Sequence, residues 1–139
     1  MTEDLGASLA RIVRRLMKAE EPVLRAHGLS MWAYAALSRL ADRPATSQLA
    51  LATAIGYDKT RLIRLLDELA REGLIVREPD PADRRAHTVR LTPDGEARHA
   101  AVKADIRALE EELLGPLSSA EQRSFRAMLA RLANGDGDG

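Results

Sequence analysis

Arginine is the residue type whose number and placement in this chain point to chemistry. Eighteen of the 21 basic residues are arginine, and two of them, Arg84 and Arg85, are adjacent and follow Asp83. Guanidinium groups make paired hydrogen bonds to phosphate oxygens and to guanine. We therefore expect Arg84 and Arg85 to bind a polyanion, with Asp83 holding one guanidinium. The plainer alternative is a surface salt bridge, worth less than about 1 kcal/mol.

A second group of polar side chains gathers at the start of a predicted helix, opposite a stripe of leucines. Its members are Tyr57, Asp58, Lys59, Thr60, Arg61 and Arg64. In helix-turn-helix proteins the first residues of the second helix meet base edges in the major groove. The alternative is an ordinary solvated helix face, in which Arg64 pairs with Glu68 one turn later.

Residues suited to catalysis or metal binding are few and scattered. The chain has no cysteine, and His27, His87 and His99 are too far apart in sequence to suggest a metal site. No nucleophile with a base, carboxylate pair or phosphate loop is recognisable. We therefore expect neither an enzyme nor a cofactor, and no metal.

Length and charge limit the remaining possibilities. The 139 residues suit one domain, and the formal net charge is zero. From residue 93 onwards acidic side chains outnumber basic ones, so DNA contacts are expected earlier in the chain. The polar N-terminus and the lack of an apolar run of roughly 20 residues predict a cytoplasmic protein without a membrane partner.

The predicted elements that position these residues begin with helices. Apolar residues at helical spacing predict a long amphipathic helix over residues 4–25 and a second helix over 31–41. Thr46 is then expected to cap a short helix. Gly56 is expected to make a tight turn before Asp58, which caps the next helix. This order is a helix-turn-helix.

A two-stranded hairpin is predicted after the helix-turn-helix, whose second helix stops at Gly73. Residues 74–78 and 88–92 have strand-like patterns. The connection over 79–87 is too long for a tight turn and is expected to project as a loop, or wing. The arginine pair lies in this loop.

Two further helices are predicted from the cap signals that follow. Thr92 with Pro93 begins one, and Ser118 with Glu121 begins the other. On the last helix several apolar side chains are expected to face inward: Phe125, Met128, Leu129 and Leu132.

The apolar stripes of the first and last helices suggest a dimerisation region. We expect a single domain over 1–139, in which residues 1–44 and 93–134 form a helical dimerisation region around a winged helix-turn-helix at 45–92. Residues 135–139 are expected to be a disordered tail. The alternative is that the terminal helices pack on the winged part within one monomer.

The segment DPADRRAHTVRLTPDG, residues 80–95, resembles the wing signature of the MarR family of multiple-antibiotic-resistance regulators. GLSMWAYAALSRL resembles the second helix of that family, and TSQLALATAIGYDKTRLIRLLDELAREGLIVRE resembles its helix-turn-helix. The resemblance covers nearly the whole chain. It implies a mainly α fold with a small β-wing, a winged helix-turn-helix carried by N- and C-terminal dimerisation helices, and a triangular homodimer on a palindromic DNA site.

The resemblance also implies roles for individual positions. Arg84 and Arg85 match the wing arginines, and Asp83 matches the acidic wing residue. The recognition helix would carry Thr60, Arg61 and Arg64, and the phosphate-contacting start of the preceding helix would comprise Thr46, Ser47 and Gln48.

The family also implies an effector. The missing cysteine excludes the members that sense oxidants through a thiol, whereas others bind small aromatic acids between the dimerisation helices and the winged lobe. Four residues lie where such a cleft could form: Arg15, His27, Trp32 and Tyr34. The alternatives are that Tyr34 is a core aromatic and that His27 is simply solvated.

The expected function is therefore that of a sequence-specific DNA-binding transcription regulator that acts as a repressor. Its expected partners are double-stranded DNA, a second copy of the chain and a small-molecule effector that releases the protein from DNA. The alternative is a winged-helix protein-interaction module without specific DNA binding, which the zero net charge would tolerate.

Overall fold

The computed structural model describes residues 2–135, and within this range it does not describe the side chains of Arg84 and Ala86. In chain order the elements are α1 (Leu5–Ala26), α2 (Met31–Asp42), α3 (Gln48–Ile55), α4 (Lys59–Arg71), β1 (Ile75–Asp80), β2 (Asp83–Leu91), α5 (Pro93–Leu113) and α6 (Ser119–Ala133). The predicted class, mainly α with a small two-stranded sheet, is confirmed. No helix within residues 2–135 is long and apolar enough to cross a membrane.

The first two helices meet at a sharp corner. Gly28 has a φ of +71°, a conformation that glycine adopts without steric cost. The Ser30 Oγ then accepts a hydrogen bond from the Ala33 N–H at 3.1 Å and caps α2. Both helices lie within one residue of their predicted bounds.

The cap of α3 differs from the prediction. Ser47, not Thr46, caps this helix, because its Oγ accepts from the Ala50 N–H at 3.0 Å. Ala45 is tied to Val89 by two main-chain hydrogen bonds of 2.8 and 3.0 Å. This extended bridge delays the start of the helix by one residue.

The turn and the second helix of the motif agree with the prediction. Gly56 has a φ of +71°, and the Asp58 Oδ2 accepts from the Arg61 N–H at 2.9 Å. At the other end of α4, Gly73 closes a Schellman motif in which the Leu74 N–H donates to the Leu69 carbonyl at 2.9 Å.

The wing is built differently from the predicted long loop. Residues 79–87 are largely strand, and the chain reverses at Pro81 and Ala82. The turn closes because the Asp80 Oδ1 accepts from the Ala82 N–H at 2.9 Å, an Asx-type turn that needs few residues. The long-loop prediction is therefore wrong, and the wing is an extended hairpin.

The strands pair antiparallel from Ile75 opposite Leu91 to Pro79 opposite His87. An irregularity follows Pro79. Proline cannot donate to a ladder, but it is tolerated in a sheet of two edge strands. Periodicity missed this part of the hairpin because proline and charged residues interrupt the alternation.

The core lies where α2, α4, the hairpin and α5 converge. Its fully buried side chains include Leu37, Leu62, Leu66, Val89 and Val102. Because the stripe of α4 leucines faces this core, the opposite face of α4 is fixed outward.

The start of α5 sits tightly against the end of α4. The Thr92 Oγ1 accepts from the Gly95 N–H at 3.0 Å, which confirms the predicted helix start. Gly95 is buried against the Leu74 carbonyl, and a side chain added there would overlap the carbonyl oxygen. The hairpin and α5 are therefore joined at a close backbone contact.

The last helix begins at the predicted capping box of Ser118 and Glu121. The expectation that its apolar residues face inward is wrong within one chain for Met128, Leu129 and Leu132, which are 52%, 38% and 77% exposed, whereas Phe125 is half-buried. The reason is that α6 leans on α5 through polar contacts, such as Arg126 with Glu110 at 3.0 Å, and leaves its apolar stripe outside. Of the predicted disordered tail, only Gly135 belongs to the described residues, where it forms part of a turn.

Candidate nucleic-acid interface

The outward face of α4 carries most of the predicted recognition residues. Lys59, Thr60, Arg61 and Arg64 are exposed. Asp58 is also exposed, but its carboxylate is engaged as the N-cap of α4. The face therefore offers donors of both kinds, hydroxyl and cationic, to whatever lies against it.

The start of α3 presents a mixture of free and engaged groups. Thr46 is exposed, whereas the Ser47 hydroxyl is used as the cap. Gln48 is half-buried, and its Oε1 accepts from the Arg77 Nη1 at 3.3 Å. Of the three predicted phosphate contacts, two are thus already bonded within the chain.

Arg77 is a site residue that the sequence reasoning did not find. Its Nη1 also lies 2.7 Å from the Asp67 Oδ1, so one guanidinium joins β1, α3 and α4. The signal was an arginine inside the apolar strand segment LIVRE, where a charge needs a partner when it is half-buried.

The hairpin tip carries the wing residues. Arg85 is exposed, and its backbone N–H donates to the Asp83 Oδ1 at 3.0 Å. Asp83 therefore braces the main chain of the wing at Arg85. The side chain of Arg84 lies outside the described part of the chain. Lower in the hairpin, Arg90 is paired with Glu78 at 2.6 Å.

The four candidate effector residues lie at separate places. Arg15 is exposed and lines a groove of about 410 Å³ between α1, α5 and α6. His27 ends α1, where its Nε2 lies 2.7 Å from the Asp105 Oδ2, and its carbonyl accepts from Arg98. His27 is therefore half-buried and partnered, not simply solvated.

Tyr34 belongs to a half-buried polar cluster between α2 and α5. Its ring stacks on His99 at 5.5 Å, and the His99 Nε2 lies 3.0 Å from the Ser38 Oγ. Burial raises the pKa of Tyr34, and burial, helped by Lys103, lowers the pKa of His99. Tyr34 packs on the core, as the plainer alternative held.

A carboxyl group on α1 extends this cluster. Burial, with the nearby charge of Glu110, raises the pKa of Glu20. Glu110 itself pairs with Arg126 of α6. Glu110 of α5 is therefore paired with Arg126 of α6, whereas its negative charge disfavours the ionised form of Glu20 on α1.

Trp32 contacts a residue of the predicted DNA-binding set. Its ring stacks on Tyr57 at a centroid distance of 4.2 Å and an angle of 15°. Tyr57 precedes the N-cap of α4, and Trp32 lies in the first turn of α2. The stack is therefore a direct contact between an effector candidate and the start of the recognition helix.

Residues 2–135 contain no group of three or more histidine, aspartate or glutamate side chains placed to hold a metal ion.

The arrangement of helices, turn and hairpin defines a winged helix-turn-helix protein. A profile of the MarR family matches residues 27–86. The transcriptional regulator HosA of Escherichia coli O111:H- is 38% identical over 101 residues, which cover 73% of this chain and 75% of HosA. The chain belongs to the MarR family, as predicted.

Solved structures agree with this assignment. The transcriptional repressor CouR, bound to a 23-mer DNA duplex, is 30% identical with a TM-score of 0.80, over 94% of this chain and 92% of CouR. A MarR family protein of Mycobacterium tuberculosis, in complex with p-aminosalicylic acid, is 25% identical with a TM-score of 0.78, over 94% of this chain and 99% of that one. The relatives are transcriptional regulators, so the prediction that the chain is not an enzyme is confirmed.

Proposed function

We propose that this protein is a sequence-specific transcriptional repressor that binds a palindromic operator as a homodimer. The observation that carries the proposal is the outward face of α4, where Arg61 and Arg64 are exposed while Leu62 and Leu66 anchor the helix in the core. Exposed arginines on a rigid helix can make paired hydrogen bonds to guanine in a major groove. The DNA complex of CouR supports the same reading.

The remaining DNA contacts are proposed from the arrangement of the winged lobe. Lys59 and Thr60 would add base or phosphate contacts beside the arginines. The wing, with Asp83 bracing Arg85, would place Arg84 and Arg85 in the adjacent minor groove, where the negative potential favours arginine. Thr46 and Gln48 would donate to phosphates at the start of α3, with Ser47 and Asp58 acting through their caps and Tyr57 through its packing.

A homodimer is proposed because one chain leaves an apolar surface uncovered. Leu5 is 72% exposed on α1 and Leu132 is 77% exposed on α6, and both helices carry further exposed apolar residues. A two-fold partner would bury both stripes and place the two recognition helices roughly 34 Å apart, one turn of DNA.

The dimer proposal is tested by Leu132→Asp, with Leu49→Asp as the matched control. Leu49 is also exposed, at 55%, but lies on α3 of the winged lobe. Sedimentation velocity is expected to show a weakened dimer for the first variant only. An unchanged dimer for Leu132→Asp, or equal loss in both variants, would contradict the arrangement.

We further propose that a small aromatic acid releases the repressor from DNA. The p-aminosalicylic acid complex of the relative supports the ligand class. Arg15, His27, Trp32 and Tyr34 remain the proposed contacts, and Trp32 is the one that touches the recognition helix through Tyr57. A titration with p-aminosalicylic acid is expected to change Trp32 fluorescence and weaken DNA binding in parallel.

The experiment that tests DNA recognition is a gel shift on the intergenic DNA upstream of the protein's own gene. At moderate salt we expect a discrete complex that unlabelled DNA of the same sequence removes and arbitrary DNA does not. Equal competition by both would favour a protein-interaction module. A regulator of chromosomal DNA would act in the cytoplasm.

A further inference from the structure

A half-buried ion pair lies directly under the start of α3. The Arg77 Nη1 is 2.7 Å from the Asp67 Oδ1 and donates to the Gln48 Oε1 at 3.3 Å. The Arg77 side chain is 27% exposed, so little room is left for it to swing away. One nitrogen of Arg77 thus forms an ion pair with a residue on α4 and donates a hydrogen bond to a residue on α3.

This contact fixes which way the Gln48 amide faces. Arginine has only donors, so the amide must turn its oxygen toward Arg77 and its NH2 group to the other side. Within the described residues no group accepts a hydrogen bond from the Gln48 Nε2. Gln48 therefore presents two N–H donors beside the first turn of α3, where the neighbouring Ser47 hydroxyl is already used.

We propose that Arg77 is a positioning residue for DNA binding, which orients the Gln48 amide so that its NH2 group donates to a DNA phosphate. Phosphate oxygens only accept hydrogen bonds, so the amide can bond to a phosphate through its NH2 group and not through its oxygen. Asp67 compensates the charge of Arg77. The role of Arg77 is thus to set geometry, and the contact to phosphate is made by Gln48. The inference rests on the proposed DNA-binding function.

The first test is a double-mutant cycle on DNA affinity. Gln48→Ala, Arg77→Met and the double variant are titrated against a labelled duplex of about 30 base pairs of arbitrary sequence, because phosphate contacts are made on any sequence. Gln48→Ala is expected to weaken binding about two- to tenfold for each protomer of the dimer that contacts the duplex, the usual effect of losing one neutral hydrogen bond. In the Arg77→Met background the same change is expected to have almost no effect. Independent, multiplying effects would overturn the proposal.

A second variant separates positioning from simple support of the fold. In Gln48→Glu the carboxylate can still accept from Arg77 but has no hydrogens for a phosphate and repels it. We expect a melting temperature equal to or above that of the wild type, with DNA affinity below that of Gln48→Ala. Wild-type DNA affinity in Gln48→Glu would overturn the proposal, and this variant decides the question alone if Arg77→Met does not fold.

The proposed DNA binding and the proposed role of Arg77 would be contradicted by different results. If the wild-type protein does not bind the duplex at low salt, the proposed function itself is wrong. If the wild type binds and Gln48→Ala binds equally well, DNA binding stands and only the role of Arg77 and Gln48 is overturned. A neutral amide releases no counterion, so the salt slope should be the same for Gln48→Ala as for the wild type.

Discussion

Among the glycines for which the structure shows the surroundings of an added Cβ, Gly95 is the one where that atom would come closest to backbone. It is buried in the first turn of α5, and an ideal Cβ built on it would overlap the Leu74 carbonyl oxygen, 3.0 Å from the carbonyl carbon and 3.4 Å from the Leu74 Cα. The Leu74 carbonyl accepts from the Thr92 N–H at 3.1 Å, so it cannot move without weakening that hydrogen bond. In Gly95→Ala the added methyl group would therefore clash with the backbone of Leu74, in the segment between α4 and β1.

The loss of stability in Gly95→Ala depends on which atoms must move to make room for the methyl group. Backbone, unlike a flexible side chain, cannot rotate away, so the cost lies toward the upper end of the 1–3 kcal/mol that overpacking typically costs. Alanine recovers up to about 1 kcal/mol through its higher helix propensity. The net loss in the free energy of unfolding is then about 2 kcal/mol, or a fall in melting temperature of about 8 °C for a chain of this size.

The assay is thermal unfolding followed by circular dichroism at fixed protein concentration, because the stability of a dimer depends on concentration. The matched control is Gly6→Ala on α1, where an added Cβ meets nothing within 4 Å. The control should keep or slightly raise the melting temperature. Equal melting temperatures for Gly95→Ala and the wild type would refute the close contact between α5 and the Leu74 backbone.

Two further predictions concern the histidine cluster and the aromatic stack. Burial lowers the pKa of His99 in the folded chain, so the unfolded chain binds a proton more readily. The contribution of neutral His99 to the free energy of unfolding is complete above the ordinary histidine pKa of about 6.5. It is lost as the pH falls through the lower pKa of the folded chain. Between neutral pH and about pH 5, the free energy of unfolding measured with denaturant should therefore fall less in His99→Gln than in the wild type. Equal falls in both proteins would show that His99 is not a source of this pH dependence. Trp32 is the only tryptophan, so Tyr57→Ala should shift its emission to the red and lower DNA affinity, while Tyr34→Phe should leave the emission maximum unchanged. Unchanged emission in Tyr57→Ala would argue against the stack.

Features whose causes are local in the sequence were predictable. The caps at Ser30, Asp58 and Ser118 and the stop at Gly73 follow from side chains within three or four residues of the backbone groups that they bond. The leucine stripe of α4 predicted which face is outward, and hence which arginines are available for DNA.

Features that depend on distant partners were not predictable in the same way. The cap moved from Thr46 to Ser47 because Ala45 pairs with Val89, more than forty residues away. Arg77 could be recognised as a charge within a strand, but not as the partner of Gln48 and Asp67. The exposure of Leu132 depends on how α6 leans on α5, which helix periodicity does not encode.

The effector residues also show that contacts between distant residues could not be predicted from local sequence. The family resemblance placed Arg15 and His27 near one cleft, whereas the packing of α1 on α5 gives the two residues different neighbours. The stack of Trp32 on Tyr57 joins residues from two separately predicted sets, and no local pattern indicates it.

The central claim is that the winged lobe binds DNA, and the salt dependence of affinity in a wing variant tests it most directly. Arg84→Ala/Arg85→Ala is compared with the wild type and with Arg123→Ala, which removes one cation from the exposed face of α6. For the wing variant we expect weaker binding and a slope of log affinity against log salt that is smaller by about 3.6, that is about 0.9 for each of the four arginines that the homodimer loses. The free energy of unfolding should stay within about 0.5 kcal/mol of the wild type. If the wing variant and Arg123→Ala both kept the affinity and the salt slope of the wild type, DNA binding by the wing would be contradicted.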